Sequence, residues 1–223
     1  MLTVLPDIRT TGAEQMSLDK ALLQERRDFV ARRYVWAPPA LSLGRFQAAP
    51  AREALPIDVV RRPTGGRAVL HGEAFEWSFA VAMPNGATDR AARANLDITQ
   101  PYALVVKAVG HALTNHGLTP SHGETASYCH ALYCFATVLA HDLTVAGEKV
   151  VALAQCRFGG RVLVHGSVLE RRPPETLRVA AETVLGESWD GVGLDGRLST
   201  ARDSLWRDIV ESLAQEVHAD AST

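Results

Sequence analysis

Residues 60–71 contain the most suggestive chemistry in the sequence, because a glycine pair lies among three arginines. The pair is Gly65 and Gly66, and the guanidinium groups belong to Arg61, Arg62 and Arg67. Glycine lets backbone approach a ligand closely, and N–H groups beside guanidinium groups suit an acyl carbonyl or a phosphate. A Gly-Gly turn between strands is equally typical of a plain hairpin whose arginines face water, and this segment alone is compatible with both.

The cysteines and histidines indicate free side chains rather than a disulfide framework or a metal site. The three cysteines, an odd number without CxxC spacing, are Cys129, Cys134 and Cys156. A free cysteine is usually a small buried hydrophobe, and Cys156 should pack on the strand face opposite Gln155. No recognised ligand spacing joins the histidines that could invite a metal, which are His122, His130, His141 and His165.

The composition is that of a globular protein with a full core. The chain has 223 residues, of which 47% are hydrophobic and 22% charged, and its formal net charge is -2. A net charge of this size gives no overall positive electrostatic potential that would attract nucleic acid. Most arginine pairs are expected to lie on solvated faces: Arg26-Arg27, Arg32-Arg33 and Arg171-Arg172. Without a signal-like N-terminus or about 18 consecutive apolar residues, the sequence predicts a cytoplasmic protein that does not cross a membrane.

The first half of the chain should begin with a helix and continue with short strands. Thr11 to Glu14 has the form of a capping box, which predicts a helix over about residues 12–30. Strands are predicted at Tyr34–Trp36, Leu41–Leu43 and Asp58–Arg61. Strict alternation from Phe75 to Met83 predicts a strand with one buried face.

The second half should place helices around antiparallel strands, giving an α+β domain. A helix is expected from Pro101 to Gly117, a loop from Pro120 to His130, and a helix from Pro174 to Gly186. Three strands form a predicted meander: Asp142–Val145, Lys149–Cys156 and Arg161–Leu169. A cap within Thr200–Asp203 starts the last predicted helix.

Four motifs in order resemble the biotin/lipoate ligase and transferase superfamily. They are Leu43–Gln47, the Arg-Arg-Pro-Thr-Gly-Gly-Arg-Ala-Val-Leu-His run ending at His71, the Gly-x-Lys-Val of residues 147–150, and His165–Leu169. The resemblance runs from Met16 to about Leu169. It implies a central mixed or antiparallel sheet flanked by helices, similar to the core of class II aminoacyl-tRNA synthetases and biotin synthetase.

The resemblance allows two chemistries. ATP-dependent lipoate–protein ligases form an acyl-adenylate with ATP and Mg and depend on the lysine that matches Lys149. Octanoyltransferases and lipoyl amidotransferases use a cysteine nucleophile and need no such cofactor. The cysteine branch is favoured because Arg67 follows the glycine pair and Cys134 lies fifteen positions before Lys149. The chain, residues 1–223, is also expected to be a single catalytic domain.

In that branch Cys134 and Lys149 are the catalytic pair. An ammonium about 4 Å from a thiol stabilises the thiolate by up to about 4 kcal/mol at an effective dielectric of about 20. Lys149 can also hold the acyl oxygen, with backbone N–H groups as further donors. The resemblance assigns acyl or substrate binding to Arg62, Gly65, Gly66, Arg67, Ala68, His71, Ala152, Leu153, Ala154, His165 and Gly166.

The sequence departs from the family at Ala152-Leu153-Ala154, where many members have Gly-Ser-Ala, so bulk is expected beside the acyl channel. The expected function is transfer of an octanoyl or lipoyl group from an acyl carrier protein or acylated donor protein. The expected acceptor is a lysine of a lipoyl domain or glycine-cleavage H protein. The alternatives are an ATP-dependent lipoate–protein ligase and a non-catalytic lipoyl-binding homologue.

Overall fold

A computed structural model describes residues 1–24, 29–50, 55–85, 100–123, 131–139, 142–189, 198 and 201–220. The helices are α1 (Gly12–Leu22), α2 (Gln100–Asn115), α3 (Glu175–Leu185) and α4 (Arg202–Asp220). The strands are β1 (Leu2–Val4), β2 (Ile8–Thr10), β3 (Phe29–Trp36), β4 (Ala40–Leu43), β5 (Asp58–Arg61), β6 (Val69–His71), β7 (Glu76–Pro84), β8 (Pro120–His122), β9 (Leu143–Val145), β10 (Glu148–Phe158) and β11 (Arg161–Leu169). Predictions concerning Arg26, Arg27, Cys129, His130, His141 and Thr200 lie outside the described residues.

The main sheet is mixed, as the resemblance implied. Its path is β1-β3-β7-β11-β10-β9-β8, and β2 pairs with β3 beside β1. The centre is antiparallel, with Val81 of β7 opposite Ala31 of β3 and Val164 of β11, whereas β1 and β2 run parallel to β3. The predicted meander is confirmed as β9, β10 and β11.

Strand β7 is buried on both faces, so the prediction of a single buried face is wrong. Trp77, Phe79 and Val81 pack into the cluster formed with α2 and α4. Ala80 and Ala82 pack on the other face, in the cluster that contains α1. The alternation in the sequence reflects two different buried environments rather than a core face and a water face.

Helix α1 is shorter than predicted. Thr11 is its N-cap and its hydroxyl accepts from the Glu14 N–H at 3.4 Å, but the helix ends at Leu22. Phe29 and Val30 belong to β3, where Val30 lies opposite Ala82. Apolar residues at helical spacing continue past the end of α1 in the sequence. Pairing with a buried sheet overrides their local helix propensity and places them in a strand.

The other predicted elements are confirmed with small differences. Gly117 and Gly186 follow α2 and α3 with φ of 74° and 70°, the left-handed conformation that ends helices. Pro120–His122, predicted as loop, forms the short edge strand β8 against β9. None of the helices in the described ranges has the length and apolar character needed to cross a bilayer.

A second, three-stranded sheet supports the arginine-glycine segment. Its order is β5-β4-β6, with β4 parallel to β5 and antiparallel to β6. Residues 62–68 connect β5 to β6, and we call them the glycine loop. The loop begins at β5, which pairs with the fully buried β4, and it ends at β6, which is also fully buried.

Candidate active site

Cys134 lies on one turn of 3-10 helix, Cys134–Ala136, outside the main sheet. Its N–H donates to the carbonyl of Ala68 at 2.8 Å, and the Ala68 N–H donates to the carbonyl of Leu132 at 2.9 Å. Tyr133 is buried and stacks on Trp189, with ring centroids 4.0 Å apart. The backbone pairing and the aromatic stack together hold the cysteine beside the glycine loop.

Lys149 comes from the main sheet and meets Cys134. It is the second residue of β10, after a tight turn in which Ala146 and Gly147 have φ of 52° and 81°. Its Nζ lies 3.3 Å from the Cys134 Sγ and donates to the Cys134 carbonyl at 3.1 Å. The same nitrogen lies 2.7 Å from Asp142 Oδ2. The structure therefore brings together the two residues that the sequence paired.

The neighbours of Lys149 keep its side chain protonated. Burial on its own lowers the pKa of Lys149, but its contacts with Cys134 and Asp142 outweigh burial and raise it above its ordinary value. The side chain is therefore charged at neutral pH, and its ammonium lies 3.3 Å from the sulfur.

Cys156 has no such cation in contact. It packs against the cluster that contains Met16 and Trp36, while Gln155 lines a groove on the opposite face of β10, as predicted. Burial raises the pKa of Cys156 to about 11, which keeps this thiol protonated at neutral pH. Among the described cysteines, the reactive environment belongs to Cys134.

Arg62 holds the glycine loop in shape. Its guanidinium donates to the carbonyls of Ser42 at 3.1 Å and Gly65 at 2.8 Å, and to the carbonyl of Arg67. Burial lowers the pKa of Arg62 to about 10, so the group remains charged at neutral pH. The plain-hairpin alternative, with arginines facing water, is wrong for Arg62, since its donors bind backbone oxygens.

Arg61 and Arg67 also bind within the protein. Arg61 Nη1 donates to the carbonyls of Gly44 and Gln47, each at 2.7 Å. Arg67 Nη1 donates to the Thr137 hydroxyl, three residues after the cysteine. These contacts tie the glycine loop to the turn after β4 and to the segment that carries Cys134.

A small chamber of about 40 Å³ opens beside Cys134, and we call it the inner chamber. Its apolar walls include Met16, Tyr34, Trp36, Val69 and Leu153. The predicted site residues that line it with Cys134 are Arg62, Gly66, His71, Ala152, Leu153, Ala154, His165 and Gly166. Gly65 and Ala68 act through backbone carbonyls, which accept from Arg62 and Cys134.

The polar side chains of the inner chamber are held by other polar groups. His71 stacks on Trp36 at 3.9 Å between ring centroids, and its Nε2 lies 2.8 Å from the Ser42 hydroxyl. The Glu76 carboxylate accepts from Ser78 at 2.5 Å and from Ser167 at 2.7 Å. These groups are fixed by the protein, and the other walls of the chamber are mostly apolar.

A second, larger cavity of about 900 Å³ lies on the other side of Cys134, and we call it the outer groove. Its walls come from α2, β8, β10 and the residues around Lys149, and Arg67 also lines it. The described residues common to both cavities are Gly66, Cys134 and Leu153. The predicted bulk at Leu153 therefore lies at the junction between the two spaces.

Two features of the site were missed in the sequence. Asp142 was assigned only to the start of a strand, yet it binds Lys149. His165 bridges Thr64 of the glycine loop, at 2.5 Å, and Asp19 of α1, at 3.2 Å. The available signal for the second feature was the position of Asp19 in the segment where the resemblance begins, three residues after Met16.

At neutral pH the buried Asp19 is ionised, whereas the buried His165 is neutral. Burial lowers the pKa of His165 more than its Asp19 contact raises it, so the ring is neutral. Burial would raise the pKa of Asp19, but Arg32, 2.8 Å away, and His165 bring it below its ordinary value. Thr64 is thus held by a neutral ring that an ionised carboxylate orients.

The model of the lipoyl protein ligase A/B catalytic domain matches residues 11–183. A curated relative, octanoyltransferase LipM of Carboxydothermus hydrogenoformans, is 36% identical over 171 residues, which cover 71% of this chain and 61% of the relative. The fold is similar to protein Ta0514 of T. acidophilum with bound lipoic acid (TM-score 0.71, 19% identity, 97% of this chain and 84% of that one). It is also similar to lipoate-protein ligase A bound with ATP (TM-score 0.67, 20% identity, 97% and 85%).

Proposed function

Because this chain belongs to the lipoyl protein ligase A/B catalytic domain family, we propose that it is an octanoyltransferase of protein lipoylation that acts through Cys134. The observation that carries the proposal is the 3.3 Å contact between a buried ammonium and a thiol at the mouth of an apolar chamber. The name of the curated relative supports the acyl group, although this chain spans only 61% of that relative's length.

In the first half-reaction the Cys134 thiolate attacks the carbonyl carbon of an octanoyl thioester. A bond forms between Sγ and that carbon, the carbon–sulfur bond to the donor breaks, and the donor thiolate leaves and is protonated by solvent. The Lys149 ammonium stabilises both the attacking thiolate and the oxygen that becomes negative in the tetrahedral intermediate.

In the second half-reaction the neutral ε-amine of an acceptor lysine attacks the acyl-cysteine. An amide bond forms, the bond from Sγ to the acyl carbon breaks, the amine loses its proton, and Cys134 returns as thiolate. The proposed acceptor is a lipoyl domain or glycine-cleavage H protein, and the proposed donor is an acyl carrier protein or an acylated donor protein.

Substrate contacts are proposed for the inner chamber residues, and residues 1–223 are proposed to act as one catalytic domain. A thioester is already activated, so the reaction needs no cofactor, whereas the ligase alternative would require ATP and Mg. Free thiols at Cys134 and Cys156 suit a reducing compartment, and we place the protein in the cytoplasm.

The test is intact-mass measurement after incubation with octanoyl-acyl carrier protein without ATP. The expected result is an octanoyl adduct that is lost in Cys134→Ala and kept in the matched variant Cys156→Ala. Transfer from free octanoate that requires ATP and survives Cys134→Ala would establish the ligase instead. A protein that binds octanoate but neither forms the adduct nor transfers would be the non-catalytic homologue.

A further inference from the structure

We propose that the outer groove binds the phosphopantetheine arm of the acyl donor, whether that arm belongs to coenzyme A or to a carrier protein. The proposal deepens the octanoyltransferase function and rests on it. A thioester carbonyl carbon carries two substituents, the acyl chain and the arm that ends in sulfur. When Cys134 attacks that carbon, each substituent needs its own space beside the thiol.

The two cavities satisfy this requirement because they meet at the nucleophile. Cys134, Gly66 and Leu153 line both of them. The inner chamber has apolar walls, which suit the hydrocarbon chain. The outer groove, at about 900 Å³, continues away from the thiol and has room for a long, flexible substituent.

The walls of the outer groove match the chemistry of the arm. An apolar stretch of α2, which includes Ala103 and Val106, suits the methyl groups and methylenes of pantetheine. Thr114 and His122 supply hydrogen-bonding groups for its amides. Lys107 and His111 also line the groove. The Lys107 ammonium pairs with Glu216 at 2.8 Å and keeps further N–H donors, which with the ring N–H of His111 can bind a phosphate.

Gly110 of α2 gives a direct probe of this groove. It lines the cavity, and a Cβ built on it would meet no atom within 4 Å. The Cβ of a substituted residue therefore enters open space, and we expect a leucine side chain to extend from it into the groove. Because leucine is a better helix former than glycine, the substitution should preserve α2.

The experiment compares Cys134 acylation by octanoyl-phosphopantetheine, octanoyl-coenzyme A and octanoyl-carrier protein with acylation by S-ethyl octanethioate, which lacks the arm. We expect Gly110→Leu to lower kcat/KM at least tenfold for all three arm-bearing donors and to change it less than twofold for S-ethyl octanethioate. Gly110→Ala, the matched small substitution, should remain within about threefold for all four donors. Equal effects on donors with and without the arm, or an effect on octanoyl-coenzyme A alone, would overturn the assignment.

A binding measurement separates this inference from the proposed function. Calorimetry should detect coenzyme A binding to the unmodified protein, with affinity at least tenfold weaker in Gly110→Leu. If coenzyme A does not bind while S-ethyl octanethioate still acylates Cys134, the groove assignment is wrong and the octanoyltransferase proposal stands. If coenzyme A binds as expected but no thioester acylates Cys134, the groove binds the arm and the catalytic proposal fails.

Discussion

The Asp142 carboxylate lies 2.7 Å from the Lys149 ammonium, closer than the 3.3 Å between that ammonium and the Cys134 sulfur. Its position is fixed by the Leu139 N–H, which donates to the same oxygen at 2.7 Å. A single cation is therefore shared by a carboxylate and a thiol. The reactivity of the thiol depends on how this positive charge is divided.

Replacing Lys149 by methionine removes the cation and should slow alkylation of Cys134 by iodoacetamide at pH 7.5 at least tenfold. The reason is that a tenfold loss of thiolate corresponds to about 1.4 kcal/mol, well within the contribution of an ammonium at this distance. Alkylation is followed by peptide mass spectrometry, with Cys156 as internal reference. Lys149→Arg, which keeps a positive charge, should lose less, and equal rates in Lys149→Met and the unmodified protein would contradict the role of the ammonium.

Asp142→Asn should increase the rate of Cys134 alkylation about two- to tenfold. The amide oxygen can still accept from Leu139, but the negative charge that opposes a thiolate is gone and the ammonium is left to the sulfur. The measurement is the iodoacetamide rate at neutral pH. The matched control is Glu148→Gln, which removes the carboxylate next to Lys149 in sequence and should change the rate little. A slower rate in Asp142→Asn would show that Asp142 acts mainly by positioning Lys149 rather than through its negative charge.

Leu153→Ala should widen the acyl groups that the protein accepts. Leu153 lines both cavities, so its removal enlarges the passage at Cys134. The ratio of kcat/KM for lipoyl over octanoyl thioesters should rise about tenfold, as expected for removing a few buried methyl or methylene groups from a pocket. Ala154→Gly, which changes a chamber wall away from this junction, should leave the ratio within about threefold.

Gly44→Ala should destabilise the protein and its glycine loop. A Cβ on Gly44 would lie 1.8 Å from the Gly66 carbonyl oxygen, so the backbone must move. Overpacking of this kind costs about 1–3 kcal/mol, which a thermal melt detects as a lower Tm. Gly65→Ala is the matched control for the melt, because a Cβ there meets nothing within 4 Å, and equal Tm losses in both variants would refute the steric explanation.

The stability of the protein should fall as the pH is lowered below about 6.5, the ordinary histidine pKa. Burial lowers the folded-state pKa of His165, so its contribution is fully present above the unfolded-state value and is lost as the pH falls through the folded-state value. Asp19 has a lowered pKa as well and acts in a separate window, below about pH 4. Chemical unfolding at pH 7.5 and 5.5 measures the effect, and His165→Gln should flatten it.

The order of motifs predicted the contact between Cys134 and Lys149, because the resemblance pairs a cysteine and a lysine at this spacing. The two residues are fifteen positions apart, and the structure places the Lys149 ammonium 3.3 Å from the Cys134 sulfur. Asp142 could not be assigned in this way. An acidic residue before a strand is common, and its contact with Lys149 depends on the turn at Ala146-Gly147 bringing β9 and β10 together.

The errors in the predicted fold have a similar origin. Phe29 and Val30 continued the apolar spacing of α1, and only pairing with β7 assigns them to a strand. The alternation in β7 correctly assigned alternate residues to opposite faces of the strand. It could not show that both faces are buried, because the helices and the three-stranded sheet that cover them belong to other parts of the sequence. Arg62 lines the inner chamber, and its hydrogen bonds to the carbonyls of Ser42 and Gly65 depend on a loop whose shape the sequence does not specify.

The parallel bridge between Ala68 and Tyr133 joins the glycine loop to the residue before Cys134. The loop forms part of the chamber wall through Gly66, so backbone pairing joins the sulfur to that wall. Lys149 belongs to the main sheet, and its ammonium also donates to the Cys134 carbonyl at 3.1 Å. We therefore expect a shift of the loop to move the sulfur relative to the sheet, so that the alkylation rate of the thiol would report on an occupied chamber.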